Sequence, residues 1–177
     1  VLYLSIMKGV GAGIIIGNKP YRGSRFKAGE VGHIIIKPGG RKCTCGEQGC
    51  LNEYISAESL IREYSNRAGK TVESLTEFMT LAENNEKKAR EIWDEYVADF
   101  AFGIRTIIST LDPETIVIGG EIARYSNRLI PAVHEQMKNS KSNVIGNDHQ
   151  ILSSELMESA SITGVALYLR NKFISKY

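Results

Sequence analysis

Residues 32–50 read "GHIIIKPGGRKCTCGEQGC" and contain all three cysteines of this 177-residue chain, together with the first of its three histidines. The spacing is His33-x9-Cys43-x-Cys45-x4-Cys50. Three thiolates and one imidazole make a complete tetrahedral ligand set for zinc, with Zn–S distances of about 2.3 Å. Such a site leaves no coordination position for water, so its role would be structural. The alternative is three incidental thiols, with His33 placed elsewhere.

Glycine is frequent between these ligands, and it adopts backbone angles that other residues resist, so the chain can wrap closely around an ion. The glycines concerned are Gly39, Gly40, Gly46 and Gly49. A disulfide between Cys43 and Cys45 is geometrically poor, because a single residue separates them and their side chains tend to diverge.

The composition is that of a globular protein, with 42% hydrophobic and 24% charged residues and a formal net charge of +2. The charge gives no electrostatic argument for nucleic-acid binding, and the basic residues are scattered. The apolar segment 1–16, which Lys8 and three glycines interrupt, is too short and broken for a membrane span. It also lacks the basic n-region and the small-residue cleavage site of a signal peptide. A cytoplasmic protein is expected. The chain begins without methionine, which suggests a piece of something longer.

Apolar periodicity, turn residues and caps predict alternating strands and helices. The predicted strands are 1–5, 12–16, 33–37, 115–123 and 149–154, with a glycine-rich loop at 8–13 and a turn at 18–21. The predicted helices are 57–68, 75–84, 89–111, 127–138 and 159–173, of which the first two are capped by Ser56 and Ser74. Pro113 ends the longest helix, because the residue before proline leaves the α region. The order predicts a single α/β domain over residues 1–177.

The stretch "IMKGVGAGIIIGNKPYRGSRFKAGEVGH" (6–33), followed by "CTCGEQGC" (43–50), resembles the ROK family of bacterial sugar kinases and sugar-responsive repressors. The segments "DPETIVIGGEIA" (112–123) and "SITGVALYL" (161–169) resemble the family's nucleotide-side strand and closing helix. The resemblance implies an α/β fold, namely the C-terminal half of an actin-like, ribonuclease H-like ATPase domain with a zinc-binding loop. It also implies zinc as the cofactor, with His33, Cys43, Cys45 and Cys50 as ligands.

The same resemblance places Glu30 and His33 at a sugar site. A carboxylate can accept hydrogen bonds from two neighbouring sugar hydroxyls, and a zinc-bound imidazole keeps its second nitrogen as a donor. The alternative is that Glu30 caps backbone amides in a turn. Asn52 stands where the family has a glutamate after the last cysteine, and Glu53 follows one position later. Both are therefore further candidates for sugar binding.

Five glycines are candidates for a nucleotide-side loop, because backbone N–H groups in such loops can face phosphate. They are Gly9, Gly11, Gly13, Gly119 and Gly120. A tight hairpin turn explains the first three equally well. Met7 and Lys8 replace the Gly-Thr of the family's kinases, and Glu121 stands where their glycine run often continues.

Residues 1–177 contain no phosphate-binding Asp-x-Gly-Gly-Thr segment and no general base of the kinase type, so this chain is not expected to catalyse phosphoryl transfer by itself. The departures at Met7, Lys8 and Glu121 favour the regulator branch, typified by xylose repressors, with sugar or sugar phosphate as effector. DNA would be bound only through an N-terminal domain absent from 1–177. The alternative is the C-terminal half of an ATP-dependent, glucokinase-like hexose kinase. A third hypothesis is that the chain is a structural module. The resemblance also implies a homo-oligomer.

Overall fold

The computed structural model describes residues 1–138 and 149–174. Within them lies a five-stranded mixed sheet of order β3-β2-β1-β4-β5. Its strands are β1 (Leu2–Ile6), β2 (Val10–Ile16), β3 (Lys19–Tyr21), β4 (Thr115–Gly120) and β5 (Gln150–Ser153). The strands β1, β2 and β3 form antiparallel neighbours, whereas β1, β4 and β5 run parallel to one another.

Six α-helices lie in the same described ranges. They are α1 (Asn52–Ile55), α2 (Ala57–Ala68), α3 (Leu75–Glu83), α4 (Lys87–Leu111), α5 (Ser126–Lys138) and α6 (Ala160–Ile174). Among these helices, none has the length and the apolar character that a membrane crossing requires.

One face of the sheet carries the core. Leu2 and Leu4 of β1 are opposite Ile116 and Ile118 of β4, and all four are almost completely buried. Because side chains alternate along a strand, the residues between them point to the other face. The helices α2 to α5 contribute their buried positions to the same continuous core.

The helix boundaries follow the local signals of the sequence. Ser56 and Ser74 accept hydrogen bonds from the amides of Ser59 and Glu77 and so cap α2 and α3 as predicted. The helix α4 begins two residues before the predicted start, because the Glu86 carboxylate accepts from the Ala89 amide and extends the first turn. The predicted caps at Ser56 and Ser74 are thus confirmed, whereas the cap at Glu86 was not predicted.

The predicted strand at 33–37 is wrong. Val31–His33 form a 3₁₀ turn, and Ile35 makes only an isolated antiparallel bridge with Cys50. The β-branched run has the composition of a strand, but its backbone pairs within the cysteine loop and not with the sheet: the Ile36 and Lys37 amides donate to the Gly49 carbonyl, and the Ile34 carbonyl accepts from the Leu51 amide. The segment therefore becomes the outer limb of the cysteine loop.

Two further corrections concern the first hairpin. Val10 and Gly11, predicted to lie only in a loop, belong to β2, which begins two residues before the predicted strand 12–16, so the connecting turn is only Met7 to Gly9. Lys19–Tyr21, predicted as part of a turn, form the short edge strand β3 after a turn at Gly17 and Asn18. The glycines of this hairpin have no side chain to contribute to an apolar alternation. The sequence signal for a strand is therefore weak even though the backbone pairs regularly.

Candidate metal centre and sugar site

The cysteine loop is a small hairpin closed by an antiparallel bridge between Lys42 and Gln48. Gly46 turns the chain at φ 98° and Gly49 brings it back at φ 88°. A Cβ on Gly49 would lie 1.9 Å from the carbonyl oxygen of Lys37, so only glycine fits there. The local backbone thus requires the glycines in which the ligands are embedded.

The loop brings the four predicted ligands together. Atoms of His33, Cys43, Cys45 and Cys50 that could bind a metal all lie within 4.8 Å of one another. The His33 Nδ1 is 3.7 Å from the Cys43 Sγ, and the Sγ atoms of Cys45 and Cys50 are 3.6 Å apart. Tetrahedral zinc coordination separates ligand atoms by roughly 3.5–3.8 Å, so the cluster fits a metal ion of that kind.

The three cysteines are free thiols in distinct surroundings. Burial raises the pKa of the Cys50 thiol to about 12 in the metal-free chain, and the other two thiols add to the shift. A hydrogen bond from the Glu47 backbone lowers the pKa of the exposed Cys45 thiol. A metal ion that binds here must therefore displace protons, above all from Cys50.

His33 stands between the thiols and Glu30. Its Nδ1 faces Cys43, while its Nε2 lies 3.8 Å from the Glu30 carboxylate. Glu30 precedes the 3₁₀ turn but its side chain makes no capping hydrogen bond, and 65% of that side chain is exposed. The proposed alternative role of Glu30 as a turn cap is therefore not seen, and the carboxylate and the imidazole Nε2 are both open to a ligand.

Asn52 and Glu53 are engaged inside the chain. The Asn52 Oδ1 accepts a hydrogen bond from the Val10 amide at 2.9 Å. Glu53 is buried, receives the Arg62 guanidinium at 2.6 Å on one carboxylate oxygen, and accepts from the Asn52 amide at 3.1 Å on the other. The structure thus brings together Glu30 and His33 but assigns the other two sugar-site candidates to internal contacts.

Contacts of Arg41 and Lys37, which the sequence did not predict, hold the cysteine loop against the helices. We call this set of contacts the brace. The Arg41 amide donates to the Tyr54 hydroxyl at 2.9 Å, and the Arg41 guanidinium reaches the Glu53 carbonyl and the Glu63 carboxylate. Lys37 pairs with Asp99 of α4 at 2.7 Å. Nothing in the sequence signals these contacts, because the partners lie 12 to 62 residues apart along the chain.

Tyr54→Phe is expected to lower the free energy of unfolding by about 1–2 kcal/mol, because it leaves the part-buried Arg41 amide without its acceptor. Urea denaturation measures the change. The control is Tyr21→Phe, since Tyr21 is an exposed tyrosine whose variant should stay within about 0.5 kcal/mol of the wild type. Equal stabilities of the two variants would contradict the proposed brace.

The five candidate nucleotide-side glycines lie around the end of β1. Ser5 is opposite Gly11 on β2 and opposite Gly119 on β4, which places these two glycines on either side of one strand. Gly11 and Gly13 line a cavity of about 820 Å³ between the sheet and α6, and a Cβ on Gly11 would meet no atom within 4 Å. Contrary to the prediction of a loop, both are strand residues.

Gly119 and Gly120 have a packing explanation. A Cβ on Gly119 would lie 1.8 Å from the Tyr3 hydroxyl, and one on Gly120 would lie 2.2 Å from the Ile6 carbonyl oxygen. Gly120 also has φ 82°, in the left-handed region. The close pairing of β4 with β1 therefore requires this double glycine whether or not a nucleotide binds.

Comparison with known proteins agrees with these features. The family model described as "ROK family" matches residues 1–172. The xylose repressor of Bacillus subtilis is 26% identical over 174 residues, which cover 98% of this chain and 45% of the repressor. The chain thus spans about half the length of the relatives it matches. Regulators and glucokinases both occur among them.

Two solved structures show the same fold. The ROK hexokinase of Thermus thermophilus matches with a TM-score of 0.80 and 27% identity, over 97% of this chain and 57% of that one. A ROK glucokinase from Streptomyces griseus, in complex with glucose and AMPPNP, matches with a TM-score of 0.79 and 25% identity, over 93% and 58%. The predicted actin-like α/β fold is confirmed, and this chain belongs to the ROK family.

Proposed function

We propose that this chain is the sugar-binding, zinc-containing effector domain of a ROK-family transcriptional regulator. The observation that carries the proposal is the orientation of His33, whose Nδ1 lies among the thiols while its Nε2 faces the Glu30 carboxylate. One side chain thereby joins a metal centre to a ligand-facing carboxylate.

Zinc is the metal that suits this ligand set best, because three thiolates and an imidazole in tetrahedral array are soft donors that favour it. When bound, the ion would hold the loop and the His33 ring in place. With all four positions taken by protein, it would not act on a water molecule. The chain's own residues then do the recognition.

Glu30 and His33 supply complementary groups for a sugar. The Glu30 carboxylate accepts hydrogen bonds from hydroxyls, and the His33 Nε2–H donates to a hydroxyl or ring oxygen, since coordination through Nδ1 fixes that tautomer. The bound glucose of the Streptomyces griseus glucokinase supports a monosaccharide as ligand. Xylose, glucose, N-acetyl sugars and their phosphates are the candidates.

The regulator branch is favoured over the kinase branch by residues at the nucleotide side. Met7 and Lys8 form the exposed turn where the family's kinases carry Gly-Thr, and Glu121 adds a carboxylate just after β4, where it would repel phosphate. The xylose repressor relative supports the same branch. The proposal includes self-association, and DNA binding through a domain outside residues 1–177.

Glu30→Gln is expected to abolish the thermal stabilisation that a sugar confers. At a sugar concentration about 100 times Kd, a bound ligand stabilises the folded state by about 2.7 kcal/mol. The measurement is the melting temperature against a series of xylose, glucose, N-acetylglucosamine and glucose 6-phosphate. Glu58→Gln, on an exposed position of α2, is the matched control and should keep the shift. If Glu30→Gln keeps the shift as well, Glu30 is not a sugar ligand.

The second candidate is the C-terminal half of an ATP-dependent hexose kinase, favoured by the hexokinase and glucokinase structures. The same melting experiment with AMPPNP separates the two readings. A shift of the melting temperature that depends on AMPPNP favours the kinase over the regulator, even though the phosphate-binding segment of the kinases is absent from residues 1–177. A chain that responds to neither sugar nor AMPPNP would be a structural module.

A further inference from the structure

The turn that joins β1 to β2 is tied to the segment that follows the last cysteine. The Val10 amide donates to the Asn52 Oδ1 at 2.9 Å, and the Ala57 amide donates to the Met7 carbonyl at 2.9 Å. Asn52 stands only two residues after Cys50, whose Sγ belongs to the metal cluster. The two bonds therefore fix one end of the turn to the first residue of α1 and the other end to the first residue of α2.

The carboxamide of Asn52 uses both of its functions. Its oxygen accepts from Val10, while its nitrogen donates at 3.1 Å to the Glu53 carboxylate, which in turn binds Arg62. A carboxylate at this position could accept from Val10 but would repel Glu53. An aliphatic side chain could neither accept from Val10 nor donate to Glu53.

Val10 is held from its other side by the turn that carries His33. A Cβ on Gly32 would lie 2.2 Å from the Val10 carbonyl oxygen, so the backbone at Gly32 lies directly against β2. Val10 is thus placed between the residue before His33 and the residue two after Cys50. Those two ligands belong to chain segments that a bound metal would hold together.

We infer that Asn52 is a positioning residue, which couples the metal and sugar site to the exposed β1–β2 turn. When the segments of His33 and Cys50 are held together, the contacts of Asn52 and Gly32 fix the position of Val10 and order the turn at 7–9. When these two segments separate, the contacts to Val10 weaken. The proposed coupling depends on the proposed metal site, whereas the hydrogen bonds of Asn52 are observed in the structure and do not depend on a metal.

The test is the hydrogen-exchange rate of the Val10 amide, measured by NMR on the chain with Zn²⁺ bound and after its removal by a chelator. Asn52→Asp should speed exchange at Val10 about ten-fold, because repulsion by the Glu53 carboxylate would draw the new carboxylate away from the Val10 amide, and ten-fold corresponds to about 1.4 kcal/mol. Asn66→Asp makes the same charge change at an exposed position of α2 and should leave the rate within two-fold of the wild type, about 0.4 kcal/mol. Removal of Zn²⁺ should speed exchange at Val10 in the wild type and much less in Asn52→Asp.

The exchange rates of the Ile116 and Ile118 amides in β4 show whether a variant affects only the first hairpin or lowers the stability of the whole fold. Faster exchange confined to the first hairpin supports the inference, whereas equal acceleration in β4 overturns it. The double variant Asn52→Asp with Glu53→Gln should restore part of the protection, because the new amide can donate to the new carboxylate. It also guards against a single variant that fails to fold.

The remaining outcomes test separately the positioning role of Asn52, its coupling to the metal site and the metal site itself. Equal Val10 rates in the wild type and Asn52→Asp overturn the positioning role. If Zn²⁺ binds but its removal leaves the Val10 rate unchanged, the coupling is overturned while the proposed metal centre stands. If the wild type binds no Zn²⁺, the proposed function fails together with the coupling, and the comparison with Asn66→Asp in the metal-free chain still decides the role of Asn52.

Discussion

Cys50→Ser is expected to purify with less than a tenth of the zinc held by the wild type and to melt roughly 10–20 °C lower. Cys50 is fully buried, and its backbone forms the bridge to Ile35, so its thiolate would bind the ion from inside the fold. A serine hydroxyl is a poor ligand for zinc, and three remaining ligands leave the tetrahedral site incomplete.

The size of the effect follows from what metal binding contributes to folding. Zinc binding is worth roughly 10–16 kcal/mol in peptides that fold only with the metal. Here Arg41 and Lys37 brace the loop independently, so we expect the loss to be about 5 kcal/mol. A chain of this size loses about 2–4 °C of melting temperature per kcal/mol, which gives the stated range.

The measurement is metal analysis by mass spectrometry together with thermal unfolding, each with and without a chelator. Thr44→Ser is the control, because Thr44 is an exposed residue of the same loop between two of the ligands. The chelator should lower the melting temperature of the wild type and of the control but leave that of Cys50→Ser unchanged. Full zinc content in Cys50→Ser would remove Cys50 from the ligand set, and a wild type without zinc would contradict the metal centre altogether.

Gly29→Ala is the second substitution from which we expect a large loss, at least about 3 kcal/mol of unfolding free energy. Gly29 has φ 95°, and a Cβ there would lie 1.9 Å from the Ala12 carbonyl oxygen. That oxygen belongs to the backbone of β2 and cannot rotate away. The Gly29 carbonyl also accepts from the Ala12 amide at 2.8 Å, so the variant would push apart a contact that fastens the segment before Glu30 to the sheet.

Gly11→Ala is the matched control in the same hairpin. A Cβ on Gly11 meets nothing within 4 Å, so alanine should change the stability by less than about 1 kcal/mol and can raise it by reducing the entropy of the unfolded chain. Urea denaturation compares the two variants directly. Because Glu30 follows Gly29, sugar-dependent stabilisation should disappear in Gly29→Ala even at temperatures where the chain remains folded. Similar stabilities for the two alanine variants would contradict the close packing of Gly29 on β2.

Local signals allowed much of this molecule to be predicted from its sequence. Ser56 and Ser74 cap their helices as predicted, and Asp112, at φ 42°, ends α4 just before Pro113. The cluster of candidate metal ligands was predictable for a similar reason, since 18 residues include all four and the glycines between them permit one tight loop. In each case the deciding contacts lie within a few residues or within one loop, where sequence order and proximity are nearly the same thing.

The tertiary structure alone decided what the side chains next to that loop do. Asn52 had the position of a sugar ligand, but its oxygen accepts from Val10, which lies 42 residues earlier. Glu53 pairs with Arg62, and the isoleucine run after His33 joins no sheet because its backbone bonds to Gly49 and Leu51. Such outcomes depend on which segments meet once the core has formed. A polar group takes whichever partner that packing brings within reach, and no spacing within the sequence records the choice.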